Sequence, residues 1–224
     1  MTAWPPGTLL AALDPADRAA LLALGTRRTY RSGSALMHQG SADAATFALL
    51  QGYAKVVGTA ADGRTVLLSI RAGGDLVGEL AALDDQPRSA SVVAATRVVA
   101  QAVSQQAFLR YLEERPSAAR TIHGAVVAEL RRATSHRVHM NGAPTAVRLA
   151  LVLNDLVASY GRPCADGVRI EVPLSQPELA SLVGVSEPTL HRSLTELRAR
   201  DIVRTRYRHL IVTDPGALQA LDSA

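Results

Sequence analysis

Cysteine is almost missing from this chain: Cys164 is the only one in 224 residues. A single thiol excludes a disulfide framework, a cysteine-built zinc site and a cysteine-ligated iron–sulfur cluster. Lysine is as scarce, with Lys55 alone among 24 basic residues and arginine supplying the rest; genome composition accounts for that bias. Long apolar runs are lacking too. The longest uncharged stretch near the middle, Val98 to Leu109, is well short of the roughly 20 apolar residues of a membrane span. Met1 to Pro6 lacks the basic flank and apolar segment of a signal peptide. The expectation is a soluble cytoplasmic protein without a membrane partner, one large domain or two small ones at roughly 100–200 residues each.

Net charge points to no partner. The formal total is +4, and residues 145–224 hold nine arginines against nine acids, leaving that part neutral. A local cluster is more suggestive: Arg198, Arg200, Arg204, Arg206 and Arg208 surround one acid, Asp201. Such a run is ordinarily a solvated face, so it needs support from its surroundings.

Three textures divide the chain. Between 26 and 107, short apolar runs (Ala48-Leu49-Leu50, Val66-Leu67-Leu68, Val92-Val93, Val98-Val99) are separated by Gly33, Gly40, Gly52, Gly63 and Gly73-Gly74. That spacing predicts an all-β sandwich or barrel, with a hairpin at Asp62-Gly63. From Pro116 the period lengthens. Ala119, Ile122, Val126, Leu130, Ala133, Arg137 and Met140 form one stripe of a long helix, ended by Asn141-Gly142 and Pro144. A helix of that length favours pairing along a seam, so a homodimer through Ile122, Val126, Leu130, Ala133 and Met140 is expected; packing on its own barrel is the other option.

After Pro144 the pattern predicts a helix over 145–160 and a loop through Gly161 to Gly167. Two short helices follow. Ser175-Gln176-Pro177-Glu178 is a capping box, and Ser186 is an N-cap with Pro188 in the first turn. Gly184 stands between them, and strand-like Ile202-Val203 and Leu210-Ile211-Val212 flank an arginine-rich turn. Helix, glycine turn, helix and basic hairpin make a winged helix-turn-helix.

Gly78-Glu79-Leu80, followed by Arg88-Ser89-Ala90-Ser91-Val92, resembles the phosphate-binding cassette of cyclic-nucleotide-binding domains. With the long helix and Leu182-Val183-Gly184-Val185-Ser186, the order of modules resembles the Crp–Fnr family of bacterial transcription regulators. The resemblance implies an α+β chain. Residues 1–115 would form a β-roll (jelly-roll) cyclic-nucleotide-binding domain, 116–141 the dimerisation helix, and 142–224 the winged helix-turn-helix. It implies cyclic AMP as effector, double-stranded DNA and RNA polymerase as partners, and switching about a hinge at 141–144.

The cassette chemistry can be argued separately. A cyclic phosphodiester is a monoanion whose free oxygens suit the guanidinium fork of Arg88. Ser89 adds a hydroxyl donor, and backbone N–H groups around Ala90 complete an anion nest. The Glu79 carboxylate can accept the ribose 2′-hydroxyl, and Gly78 permits close backbone approach. Leu80 completes the motif. On the helix the family's Thr-Ser pair for the base corresponds to Ala133-Thr134, so only Thr134 retains a hydroxyl. Another cyclic nucleotide, or ligand-independent action, therefore stays open, as does a cyclic-nucleotide-binding module acting through a protein partner.

At the DNA, many relatives carry Arg-Glu-Thr after the N-cap serine. Here the residues are Glu187-Pro188-Thr189. Arg192, Glu187 and His191 are the expected base readers, with Ser186, Thr189, Arg206 and Arg208 on phosphates. No catalytic constellation or P-loop is present, so no enzyme is expected. His38, His123, His136, His139 and His191 form no metal-ligand pattern; His136 and His139, at i and i+3, fit solvated helix positions better, and no metal is expected.

Overall fold

A computed structural model describes residues 4–5, 7–140, 142–206 and 209–222. The chain gathers into two compact units, 1–132 and 133–224. The N-terminal unit opens with helices α1 (Leu9–Ala12) and α2 (Pro15–Ala23). Eight strands follow: β1 (Thr26–Tyr30), β2 (Ala35–Met37), β3 (Thr46–Gln51), β4 (Tyr53–Thr59), β5 (Thr65–Ala72), β6 (Leu76–Val77), β7 (Ser91–Ala94) and β8 (Val98–Val103). Helix α3 (Glu79–Asp84) lies between β6 and β7, and α4 (Gln105–Glu114) follows β8.

The strands form two antiparallel four-stranded sheets, ordered β1-β8-β3-β6 and β2-β7-β4-β5. The predicted β architecture is thereby present. The Asp62-Gly63 hairpin joins β4 to β5 with Gly63 at φ 82°, where a side chain would be strained. Leu36, Met37, Phe47, Leu49, Val77, Val92 and Val98 make one apolar cluster, with Tyr30 edge-on to Phe47. A second cluster under the helices contains Leu10, Leu21, Phe108, Tyr111, Ala118 and Ile122.

Helix α5 (Pro116–Met140) is continuous as predicted. Its stripe is divided, however. Ile122 is 1% exposed and belongs to the second cluster of its own unit, so it is removed from the expected dimer seam. Periodicity reports that a face is apolar without reporting what covers it.

The C-terminal unit continues with α6 (Thr145–Tyr160), β9 (Gly161–Cys164), β10 (Gly167–Ile170), α7 (Gln176–Val183), α8 (Glu187–Ala199), β11 (Val203–Arg206), β12 (His209–Val212) and α9 (Pro215–Asp222). The segment expected as a loop is a hairpin. β9 and β10 extend the wing into a sheet ordered β11-β12-β10-β9. Pro163 is tolerated because β9 is the edge strand.

Asp17 ties α2 to the joint between α4 and α5. Arg115 Nη1 donates to its carboxylate at 2.8 Å, Ser117 Oγ donates to the second oxygen, and Tyr111 Oη donates to its backbone carbonyl at 2.9 Å. Burial pushes the Tyr111 phenol up to about 12. The Ser117 hydroxyl and the Arg115 guanidinium hold the Asp17 carboxyl below the usual carboxylate range, against the opposing effect of burial. The folded value lies below the unfolded one. The stabilisation is therefore complete above the unfolded value near 3.8 and is lost as pH falls through the folded value. Asp17→Asn should lower the urea midpoint at neutral pH, and the gap from wild type should close on acidification below that value. A constant gap across the acid range would refute this assignment.

Candidate ligand and DNA sites

Gly78 joins β6 to α3 at φ 83°. Two constraints make it glycine: the left-handed backbone, and the space that a Cβ would need. That atom would lie 2.6 Å from Arg88 Nη1 and 2.9 Å from the Ala45 carbonyl oxygen. The backbone of Arg88 is itself pinned. Its N–H donates to Ser41 O at 3.0 Å, and its carbonyl accepts from Gly40 N at 2.8 Å.

The Arg88 guanidinium is buried, at 3% exposure for the residue. Nη1 donates to Gly78 O at 2.8 Å, and Nη2 donates to Ala45 O. Asp43 Oδ2 stands 3.5 Å from Nη2, while its Oδ1 accepts from Ala45 N at 2.9 Å, which shapes the turn whose carbonyl Arg88 uses. Arg88 Nε is buried without a hydrogen-bond partner among the described residues. An unmatched N–H on a buried cation costs free energy that an anion can recover.

Gly78, Glu79, Leu80, Arg88, Ser89 and Ala90 line one cleft, with Met37, Val56, Val77 and Val92 as its apolar walls. The structure thus brings six of the expected ligand residues together. Thr134, exposed on α5, belongs to the other compact unit. Leu80 is an outer wall at 44% exposure. The cleft encloses about 90 Å³, against roughly 300 Å³ at the lower end of ligand pockets. The donor set suits a cyclic phosphodiester.

Sequence reading missed Arg71. It lies on β5 and lines the same cleft. Its guanidinium grips Glu129 of α5 at both oxygens, Nη2 to Oε1 at 2.6 Å and Nη1 to Oε2 at 3.1 Å. Arg132 shares Oε2 at 2.8 Å. Burial raises the Glu129 carboxyl, but hydrogen bonding and charge from Arg71, with Arg132 assisting, bring it below the usual range. Burial raises Glu79, with Arg71 and Arg88 opposing. The available signal was a charged residue inside an apolar strand, Leu67-Leu68-Ser69-Ile70-Arg71-Ala72.

In the C-terminal unit the capping box is formed as predicted. Ser175 Oγ accepts from Glu178 N at 3.4 Å, and Glu178 Oε2 accepts from Ser175 N at 2.7 Å. Gly184 ends α7 at φ 69°, and Arg148 Nη1 donates to its carbonyl at 3.2 Å. Ser186 caps α8, accepting from Thr189 N at 3.4 Å. Leu190, Leu194 and Leu197 bury one face of α8 and leave Glu187, Pro188, His191 and Arg192 exposed on the other.

The arginine run behind α8 is less available than its sequence suggests. Arg198 donates to Leu194 O, Thr195 Oγ1 and Thr205 Oγ1, tying α8 to β11. Arg204 pairs with Asp201 at 3.3 Å and Asp166 at 3.7 Å. Arg206 lies at the end of β11, and Arg208 falls outside the described residues. Among the described residues, no three His, Cys, Asp or Glu side chains form a group able to hold a metal. No helix among them is long and apolar enough to cross a membrane.

Comparison with known proteins agrees with this geometry. The family described as a cyclic nucleotide-binding domain matches residues 27–115, and the Crp-like helix-turn-helix domain matches 147–221. The chain belongs to the Crp–Fnr family of transcription regulators. It is 25% identical to a CRP-like cAMP-activated global transcriptional regulator of Mycobacterium tuberculosis, over 92% of each chain. It is 26% identical to a cyclic AMP receptor protein of Thermus thermophilus, covering 95% of this chain and 91% of that one. Among solved structures, a CRP-family transcriptional regulator from Thermus thermophilus aligns with a TM-score of 0.75 at 21% identity, over 88% of this chain and 97% of that one. The c-di-GMP responsive global regulator CLP from Xanthomonas campestris aligns with a TM-score of 0.74 at 20% identity, over 90% and 100%. Within this Crp–Fnr chain, Gly78→Ala should cost about 1–2 kcal/mol from the left-handed backbone alone, and the Arg88 contact adds to it. An unshifted urea midpoint would show that the turn has another conformation.

Proposed function

We propose that this Crp–Fnr protein is a homodimeric DNA-binding regulator whose effector is cyclic AMP. The observation that carries the effector reading is Arg88, a buried guanidinium with an unmatched Nε beside a cleft lined by Gly78, Glu79 and Ser89. Arg88 would take the cyclic phosphate, with the Ser89 hydroxyl and the backbone at Ala90 assisting. Glu79 would accept the ribose hydroxyl, Leu80 would cover the sugar, and Thr134 would meet the base.

Calorimetry tests this directly, with cyclic AMP, cyclic GMP and c-di-GMP titrated in parallel. Arg88→Leu should weaken binding of cyclic AMP by about 2–5 kcal/mol, the range for truncating one partner of a buried charge pair. Unchanged affinity would defeat the cassette assignment. A wild type that binds none of the three would make this a ligand-independent regulator.

The dimer reading is supported by apolar side chains exposed along α5: Val127 at 50%, Leu130 at 67% and Val138 at 65%. Steps of three and eight residues keep them on one side of a helix. They replace Ile122 as the centre of the proposed seam; the side chain of Met140 falls outside the described ones. On the DNA side, exposed Arg192 is the proposed guanine reader, Glu187 and His191 flank it, and Ser186, Thr189, Arg206 and Arg208 would hold phosphates. RNA polymerase is the proposed protein partner, in the cytoplasm.

Glu187-Pro188 lacks the arginine and the glutamate that many Crp–Fnr proteins carry there, so the preferred site should differ from a TGTGA half-site. Selection from random duplexes, followed by salt-dependent mobility shifts, should return another palindrome. Arg192→Ala should lose about 1–3 kcal/mol of discrimination at one base pair. Leu130→Glu should sediment as a monomer and lose the shift. Enrichment of TGTGA, or a Leu130→Glu dimer, would overturn the corresponding assignment.

A further inference from the structure

A second and larger cleft, about 610 Å³, lies in the N-terminal unit, and none of its lining residues belongs to the nucleotide cassette. Its floor follows from strand register. Arg27 and Thr29 are two apart on β1; Thr29 pairs with Val99 on β8, and Val99 also faces Gln51 on β3. Directly opposed residues share a face, so these side chains project to one side of the sheet, and Arg97, two before Val99, shares it. The alternate residues Tyr30, Val98 and Ala100 turn into the core. A register shift between Leu49 and Gln51 leaves Leu50 as the extra residue, and it joins the lining.

Helix α2 contributes Pro15, Arg18, Ala19 and Leu22 to the lining, and Trp4 joins them. Trp4 is fixed by its own contacts. Its Nε1 donates to Leu50 O at 3.1 Å, and Arg18 Cζ lies 5.7 Å over its ring. Arg18 Nη1 donates to Leu10 O at 2.9 Å, so that cation is held in place.

The charge balance of the cleft is one-sided. Arg18, Arg27 and Arg97 line it and no acid does. The guanidinium groups of Arg27 and Arg97 have no hydrogen-bond or ion-pair partner among the described residues. The remaining walls are largely apolar. The volume is within the range of small-molecule pockets, roughly 300–1,000 Å³. A guanidinium fork matches the two oxygens of a carboxylate, and the apolar walls beside it suit an apolar body. We infer that this cleft is a second ligand site, for an amphipathic organic carboxylate whose apolar body lies against Trp4, Leu22, Leu50 and Val99 and whose head meets Arg27 and Arg97. The inference does not depend on cyclic AMP.

The molecule carries its own reporter, because Trp4 is the only tryptophan. Full-length protein titrated with decanoate should show a saturable change in Trp4 emission. The uncharged analogue decanol should require at least tenfold more ligand for the same change. In an Arg27→Gln/Arg97→Gln variant the decanoate midpoint should rise at least tenfold. Both residues are exposed, and the variant's urea midpoint and cyclic-nucleotide calorimetry should match wild type. No saturable response, equal potency of decanol, or an unmoved midpoint in the variant would each overturn the site.

Discussion

Burying a guanidinium costs free energy unless its donors are matched. At Arg88 the match is made with backbone. Two carbonyls, Gly78 O and Ala45 O, take the two Nη groups, and the carboxylate paired with it, Asp43, is itself largely exposed. Much of the surrounding geometry serves that arrangement. Gly78 must be left-handed to present its carbonyl, the Asp43 side chain shapes the turn that presents the Ala45 carbonyl, and Gly40 and Ser41 clamp the Arg88 backbone. The cation is held firmly while Nε is left unmatched. A carboxylate of full strength at this position would stabilise the fold and compete with any phosphate. Backbone dipoles hold the charge without neutralising it.

The second ionic feature has the opposite character. Glu129 is matched at both oxygens by Arg71, and Arg132 adds a third cation. The pair joins a strand that lines the cassette cleft to the long helix, four residues before Ala133 on α5. Where many relatives place a hydroxyl pair on the helix, this chain has Ala133-Thr134 with a charge pair one turn earlier. Glu79 shares that field: burial raises its carboxyl, while Arg71 and Arg88 lower it and Glu129 raises it. Changing the charge at any of these groups alters the others.

Much of the fold was legible because its signals are local. The short apolar runs of β3 and β5, the capping box at Ser175, the N-cap at Ser186 and the left-handed turn at Gly184 are each set within a few residues. What the sequence hid was tertiary. Gly161-Arg162-Pro163-Cys164 has neither alternation nor an apolar residue to bury, and it is a strand only because β10 offers it an edge. Ile122 and Leu130 have the same period and comparable hydropathy, yet one is in a core and the other in solvent. The cassette residues were found because Gly78 to Leu80 and Arg88 to Ala90 are contiguous; Arg71 was missed because its partner is 58 residues away.

The arginine bias of the chain bears on the two clefts differently. With arginine supplying nearly every cation, a guanidinium at a given surface position carries little information. What distinguishes one arginine from another is its partner. Arg64, Arg115, Arg132, Arg169 and Arg204 all sit on carboxylates, which satisfies them within the fold. Arg88 differs in being buried on carbonyls with one donor unmet, and Arg27 and Arg97 differ in lining a largely apolar cleft with no acid in its lining. Counter-charge is available in this chain, with 20 acidic residues to place. Its absence from the lining of the larger cleft is the observation on which the inferred carboxylate site rests.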